Sequence, residues 1–90
     1  MESEQFHRIT KALADPRRYQ ILLKIANSPE LVCGDVLSDL PITAPTLSHH
    51  LKELANAGLV EIRRKGQFAH LKLRRKVWRQ YLSELTKLGQ

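Results

Sequence analysis

The sequence predicts a small domain that is mainly α-helical and carries one antiparallel β-hairpin. Its 90 residues fit a single domain, for which about 100–150 residues is the common size. Apolar residues recur at the helical period over most of the chain, and between residues 59 and 73 the pattern changes to strict alternation. No Gly/Ser-rich linker and no internal repeat divides the chain, so residues 1–90 are expected to form one domain.

Two helices are predicted in the first third of the chain. The first covers residues 4–14, and its apolar residues share one helical face. They are Phe6, Ile9 and Leu13. Asp15 and Pro16 mark the start of the second helix, residues 16–26, because Asp caps a helix and Pro fits its first turn, where no amide donor is needed. The predicted apolar face of this second helix consists of Tyr19, Leu22, Leu23, Ile25 and Ala26.

A short helix and a longer one are predicted in the middle of the chain. The short helix covers residues 32–39 and ends before Pro41. Thr43 is a good N-cap for the longer helix, residues 44–57, because its hydroxyl can accept a hydrogen bond from a free amide of the first turn. The buried side of this longer helix is expected to carry Leu47, Leu51 and Leu54.

The alternating segment predicts a β-hairpin. Val60 and Ile62 alternate with charged residues in the first strand, and the residues Lys65, Gly66 and Gln67 supply the turn. The apolar positions of the second strand are Ala69, Leu71 and Leu73. A fifth helix is predicted over residues 76–88, where the helical period returns. The expected order is therefore four helices, two strands and a last helix.

Composition excludes several classes of protein. One cysteine cannot form an internal disulfide framework. No apolar run approaches the roughly 20 residues of a membrane span, and the polar start MESEQFHR is unlike a signal peptide. We therefore expect a cytoplasmic protein without a membrane partner. The sequence also contains no carboxylate pair, nucleophile–base spacing or phosphate-binding Gly loop, so neither an enzyme nor a cofactor is expected.

The positive charge lies near the carboxyl end. The chain has a net charge of +6, but residues 1–62 carry six basic and eight acidic residues. Residues 63–90 carry nine basic residues and one acidic residue. A local excess of this kind favours a polyanionic partner over a general solubility effect.

The order of elements around residue 43 is typical of a winged helix-turn-helix. A short helix, a three-residue break and a longer capped helix form a helix–turn–helix, whose second helix can enter the major groove of DNA. Its face opposite the leucines carries Pro45, Thr46, Ser48, His49 and Lys52. A hairpin directly after it forms a wing that can follow the phosphate backbone. The wing tip carries Arg63, Arg64, Lys65 and Gln67, which makes double-stranded DNA the expected partner.

Residues 11–73 resemble the ArsR family of bacterial winged-helix repressors. The motifs are KALADPRRYQIL at 11–22, TAPTLSHHLKEL at 43–54 and AGLV at 57–60. The resemblance implies that Thr43 caps the recognition helix and that Ala44 joins the DNA-facing positions. It places His50 at the edge of the buried face, as a packing and hydrogen-bonding residue. Many relatives have Ser-Gln where this chain has Thr43-Ala44, so one bidentate base contact is absent.

The resemblance also implies a homodimer that binds a palindromic operator and releases it on meeting an inducer, which the sequence does not identify. The first and last helices, residues 4–14 and 76–88, would form the dimer interface. The residues expected there are Phe6, Ile9, Leu13, Val77, Trp78, Tyr81, Leu82 and Leu85.

Neither of the two usual family metal sites is expected. One needs a cysteine pair before the turn, and Cys33 stands alone there. The other needs His and carboxylate ligands on the last helix, which holds only Glu84. Cys33 is then either a redox-sensitive thiol or a small buried apolar residue. His70 has no partner at ligand spacing, so it is expected in solvent or near a phosphate.

An alternative function belongs to a different class. The same winged helix could serve as a protein-interaction module whose basic wing docks an acidic partner. Reversing the charges of Arg63, Arg64 and Lys65 would separate the two functions if a bound protein were lost while DNA binding survived.

Overall fold

Five α-helices and three strands follow one another in residues 1–89, the part of the chain that the computed structural model describes. The helices are α1 (Ser3–Ala14), α2 (Pro16–Ala26), α3 (Cys33–Asp39), α4 (Ala44–Asn56) and α5 (Arg75–Thr86). The strands are β1 (Leu31–Val32), β2 (Val60–Lys65) and β3 (Phe68–Leu73). A 3₁₀ turn, Lys87–Gly89, follows α5. The predicted fold class, a mainly helical winged helix-turn-helix with a β-hairpin, is confirmed.

The sheet has one strand more than the sequence predicts. β1 pairs antiparallel with β3, opposite Leu71 and His70, and the strand order is β1-β3-β2. Two apolar residues are too short a run to predict a strand, because their pairing depends on β3, which lies about forty residues further along the chain. Val32 belongs to this strand, so α3 begins at Cys33 and not at residue 32.

Both predicted helix caps are confirmed. The carboxylate of Asp15 accepts hydrogen bonds from the backbone amides of Arg17 (2.9 Å) and Arg18 (3.0 Å). Thr43 Oγ1 accepts from the amide of Thr46 (3.4 Å) and donates to Thr46 Oγ1 (2.9 Å). The beginnings of α2 and α4 are therefore set by local chemistry.

The hydrophobic core lies where α1, α2, α4 and the sheet meet. Its fully buried large side chains are Ile9, Ile21, Ile25, Val36, Leu47, Leu54, Leu59, Val60 and Leu71. Burying each such side chain stabilises the fold by about 1.5–3 kcal/mol. The three leucines predicted for the buried side of α4 are all in this core.

The predicted apolar face of α2 is partly wrong. Ile21 was not assigned to it but is fully buried, whereas Tyr19 and Leu23 are 45% and 44% exposed. Apolar residues surround most of this helix, so its sequence alone does not select the inward face. That face is selected by α1, α4 and β3, which all pack against α2.

Gly58 connects α4 to the wing. It has a φ of 80°, a left-handed conformation that glycine adopts without a steric penalty. The chain can therefore reverse within two residues of the end of α4, which places β2 beside the recognition helix. None of the described helices is both long and apolar enough to cross a membrane.

Candidate nucleic-acid interface

The face of α4 that the sequence assigns to DNA is open to solvent. All its predicted contact residues are exposed, whereas Leu47, Leu51 and Leu54 on the other side are 1%, 5% and 0% exposed. The exposed set is Thr43, Ala44, Pro45, Thr46, Ser48, His49 and Lys52. A helix with small residues at its first turn and polar ones beyond can approach base edges closely.

His50 takes no part in that open face. It is 7% exposed, and its Nδ1 accepts a hydrogen bond from Nε of Arg18 on α2 (3.3 Å). Burial lowers the pKa of His50, the charge of Asp15 opposes this shift, and the charge of Arg18 adds to it. The imidazole is therefore held neutral, and it ties the recognition helix to α2.

Asp15, the cap of α2, accepts from the amide of the same Arg18 that contacts His50. The backbone amide of Arg18 is the main group that lowers the pKa of Asp15, and burial opposes this shift without cancelling it. The carboxylate therefore stays ionised over a wide pH range. No sequence pattern links Arg18 to His50, because they are 32 positions apart.

The three basic residues of the wing point in two directions. Because strand residues alternate between the faces of a sheet, Arg63 and Lys65 share one face and Arg64 lies on the other. Arg63 Nε donates to Glu61 Oε1 (2.8 Å), and Lys65 Nζ lies 3.5 Å from Glu30 Oε2. All three residues are exposed, as is Gln67. The wing tip is thus less positive than its sequence suggests.

His70, expected in solvent or near a phosphate, has a carboxylate beside it that the sequence did not predict. Its Nδ1 lies 3.2 Å from Glu30 Oε2, so one carboxylate contacts both His70 and Lys65. Burial works to raise the pKa of Glu30, but the charges of Lys65 and His70 outweigh it and lower the pKa. Glu30 is a residue that the sequence did not single out, and only the folding of the loop before β1 against β3 brings it to the wing.

The residues predicted for a dimer interface differ in how much surface they have left. Ile9 is fully buried within the single chain and Tyr81 is 4% exposed. The Tyr81 hydroxyl is hydrogen-bonded to Thr10 Oγ1 (2.9 Å), and its ring packs on Phe6, so α5 is attached to α1 of its own chain. Phe6, Leu13, Val77 and Trp78 are half-buried, whereas Leu82 and Leu85 are exposed. Ile9 and Tyr81 therefore have little surface to offer a partner.

Within residues 1–89, no three His, Cys, Asp or Glu side chains are placed to share a metal ion. Cys33 is half-buried at the start of α3. Burial raises the pKa of its thiol, and the charge of Arg64 opposes this shift without cancelling it. The thiolate, which is the reactive form, is disfavoured at neutral pH.

Residues 15–61, from the cap of α2 to the first half of β2, match the family model described as bacterial regulatory protein, arsR family. The chain belongs to the ArsR family. It is a transcriptional regulator with a DNA-binding winged helix, and the family consists of regulators and not of enzymes. This membership favours the DNA-binding function over the protein-docking alternative.

This chain covers different shares of two similar regulators. The chain is 35% identical over 65 residues to the transcriptional repressor SdpR of Bacillus subtilis, covering 72% of this chain and 71% of that protein. It is 37% identical over 65 residues to the arsenic resistance transcriptional regulator ArsR1 of Pseudomonas putida. That alignment covers 72% of this chain but 51% of the relative, so this chain spans about half of the longer protein.

A solved structure of a winged-helix domain from Mycobacterium bovis is also similar. It is described as the homodimeric DNA-binding domain of a possible ArsR-family regulator. The identity is 30% and the TM-score 0.76, covering 96% of this chain and 80% of that one.

Proposed function

We propose that this ArsR-family chain is a homodimeric repressor that binds a palindromic operator and acts in the cytoplasm, where bacterial DNA lies. In this proposal α4 enters the major groove, and the wing follows the phosphate backbone beside it. The proposal rests mainly on the exposed face of α4, whose polar residues lie next to a basic hairpin. SdpR is a repressor, which supports repression, and the similar domain from Mycobacterium bovis is homodimeric, which supports the dimer.

The side-chain chemistry separates residues that read bases from residues that bind phosphates. Ser48 and His49 can donate or accept at base edges, whereas Lys52 and the wing arginines suit phosphate oxygens. The recognition helix is nearly neutral, since Lys52 is followed by Glu53. Specificity therefore resides in uncharged contacts, and the salt-dependent part of the affinity resides in Lys52 and the wing.

Two copies place two recognition helices on one side of the duplex. A two-fold dimer that reads a palindrome needs its helices about one turn of DNA, roughly 34–36 Å, apart. The exposed Leu82 and Leu85 and the half-buried Val77 and Trp78 form an apolar surface on α5 that a second copy can cover. The interface proposed here consists of this α5 surface together with Phe6 and Leu13 of α1.

We also propose that regulation does not use the family metal sites. Cys33 is the single cysteine, and soft-metal capture needs two or three thiolates. Glu84, the carboxylate of α5, lies 3.5 Å from the N-terminal amine and accepts from Lys87 Nζ (3.2 Å). Both of its contacts are cationic, which does not suit a divalent cation.

The test is selection of bound DNA from a random pool, followed by anisotropy titrations of the selected sequence and a scrambled control. We expect an enriched palindrome, tight binding that falls steeply with salt, and no release by Zn²⁺, Cd²⁺ or arsenite. An unenriched pool would contradict a specific repressor, and metal-dependent release would contradict the metal-free part of the proposal.

A further inference from the structure

A groove separates the recognition helix from the wing. Its volume is about 260 Å³, just below the roughly 300–1,000 Å³ of common small-molecule sites. One wall is the side of α4 that carries Ser48 and Lys52, and the other is the sheet face that carries Arg64. The groove therefore lies directly beside the proposed DNA-contacting residues.

The base of the groove is apolar. Four of the lining side chains contribute no polar atoms, namely Leu51, Ala55, Ile62 and Ala69, and Cys33 and Asn56 complete the lining. Ile62 is 36% exposed although it belongs to the sheet face whose other end is in the core. Ala55 of α4 and Ala69 of β3 both line the groove, and their small side chains leave space that larger ones would fill, so the base can accept an apolar body.

The rim of the groove is cationic. Within residues 1–89, Lys52 and Arg64 make no ion pair, in contrast to Arg63 and Lys65, which contact Glu61 and Glu30. An apolar base under two uncompensated cations matches a ligand with an apolar body and one anionic head. A neutral apolar molecule would leave the cations unused, and a bare inorganic anion would leave the base unfilled.

We propose that this groove binds a small organic anion with an apolar body, of the medium-chain carboxylate class, and that this ligand releases DNA. The release rests on the proposed function, because Lys52 and Arg64 are also the cations assigned to phosphates. A carboxylate that occupies them removes two phosphate contacts, and its body fills the space between α4 and the wing. Ligand and DNA then compete for the same charges, so each weakens the binding of the other.

The direct test of the site uses sodium octanoate as the probe and ¹⁵N-labelled protein. We expect amide shifts in α4, at Cys33 and in residues 62–69, with little change in α1 or α2. Ala69→Ile fills the base and leaves both cations in place, and a β-branched residue suits a strand. The shifts should be lost in Ala69→Ile. They should also be lost in Ala55→Leu, which fills the groove from α4 and serves as the second variant if Ala69→Ile does not fold.

The test of release measures operator binding by anisotropy. At a free octanoate concentration ten times its own dissociation constant, competition raises the apparent Kd for DNA about elevenfold for each subunit whose groove must empty. Acetate or inorganic phosphate at the same ionic strength should not do so. Arg64→Gln should weaken both DNA and octanoate, whereas its matched control on α5, Arg79→Gln, should leave octanoate binding unchanged.

Three outcomes would overturn the site: absent or scattered shifts, an octanoate effect that survives Ala69→Ile and Ala55→Leu, or equal release by inorganic phosphate. Octanoate shifts in the groove without any effect on DNA would overturn the competition. A chain that binds no DNA contradicts the proposed function alone, because the amide shifts still decide whether the groove takes the carboxylate.

Discussion

Arg18 on α2 donates a hydrogen bond from Nε to Nδ1 of His50 on α4 across 3.3 Å. His50 accepts on Nδ1, so its neutral ring carries the proton on Nε2. A protonated ring would present a second donor to Arg18 and break the bond. The protonation state of one imidazole thus decides whether this hydrogen bond between α2 and α4 is made, beside the leucine packing that holds α4 in the core.

The first prediction concerns pH. The pKa of His50 is lowered in the folded chain, so below its ordinary value near 6.5 the unfolded state takes up the proton first. Stability is then complete above that value and is lost as the pH falls towards the folded pKa. We expect the denaturation midpoint to decrease between pH 7.5 and 5.5. Glu30, Glu61 and Glu84, whose pKa values are lowered, stay ionised over that range.

The matched variant is His50→Asn, which keeps an acceptor near the Nδ1 position but does not titrate. Its denaturation midpoint should vary less with pH than that of the wild type. The charged groups that face His50 are Asp15, Arg17, Arg18 and His49, and all four remain in the variant. Equal pH slopes for both proteins would show that His50 does not carry the effect.

The second prediction separates base reading from phosphate binding. His49→Ala should weaken binding to the operator by about 1–3 kcal/mol per site and reduce the protein's preference for the operator over mismatched sequences. Arg64→Ala should weaken all DNA nearly equally and reduce the slope of log Kd against log salt by about one. Titrations of both variants on operator and scrambled DNA at several salt concentrations test this. If both variants showed one sequence-independent loss, the assigned roles would be wrong.

The third prediction concerns the two carboxylates that contact the wing. Glu61 and Glu30 neutralise Arg63 and Lys65 in the free chain, so they compete with phosphates. Glu61→Gln and Glu30→Gln should each increase DNA affinity at low salt, with a gain that shrinks as salt screens the charges. The control is Glu4→Gln, which removes a similar exposed pair with Arg8 on α1. Unchanged or weaker binding by the two wing variants would contradict this competition.

The fourth prediction tests the dimer surface. Leu82→Glu should convert the dimer to a monomer and abolish tight operator binding, because a charge would be buried against the second copy. Leu23→Glu is a matched control, since Leu23 on α2 is 44% exposed and Leu82 is 42% exposed. Light scattering after size exclusion gives the masses. If Leu82→Glu and Leu23→Glu were both dimeric, the dimer interface would not include Leu82.

The fifth prediction tests the corrected inner face of α2. Ile21→Ala should destabilise the fold by about 2–5 kcal/mol, the usual effect of such a deletion in a core. Leu23→Ala, two positions away and exposed, should change stability by about 0.5 kcal/mol or less. Urea unfolding measures both. Similar losses would mean that Leu23 is buried in solution, as it would be under a second copy.

The sequence by itself determined the features that depend on a few neighbouring residues. Asp15 and Thr43 cap α2 and α4 as predicted, because a cap is a contact across two or three positions. The helical leucines of α4 and the alternation of the hairpin were equally readable, since the period of a helix or strand is local. The exposure of the α4 residues that we propose to face DNA follows from that same periodicity.

Only the tertiary structure decided which distant groups meet. The pairs Arg18–His50 and Glu30–His70 lie 32 and 40 positions apart, and no local pattern specifies such contacts. The strand β1 exists because β3 supplies its partner, and α2 turns Ile21 inward because its neighbours cover that side. The sequence predicted the positive charge of the wing. Its partial neutralisation depends on Glu30, which folding brings from the loop before β1.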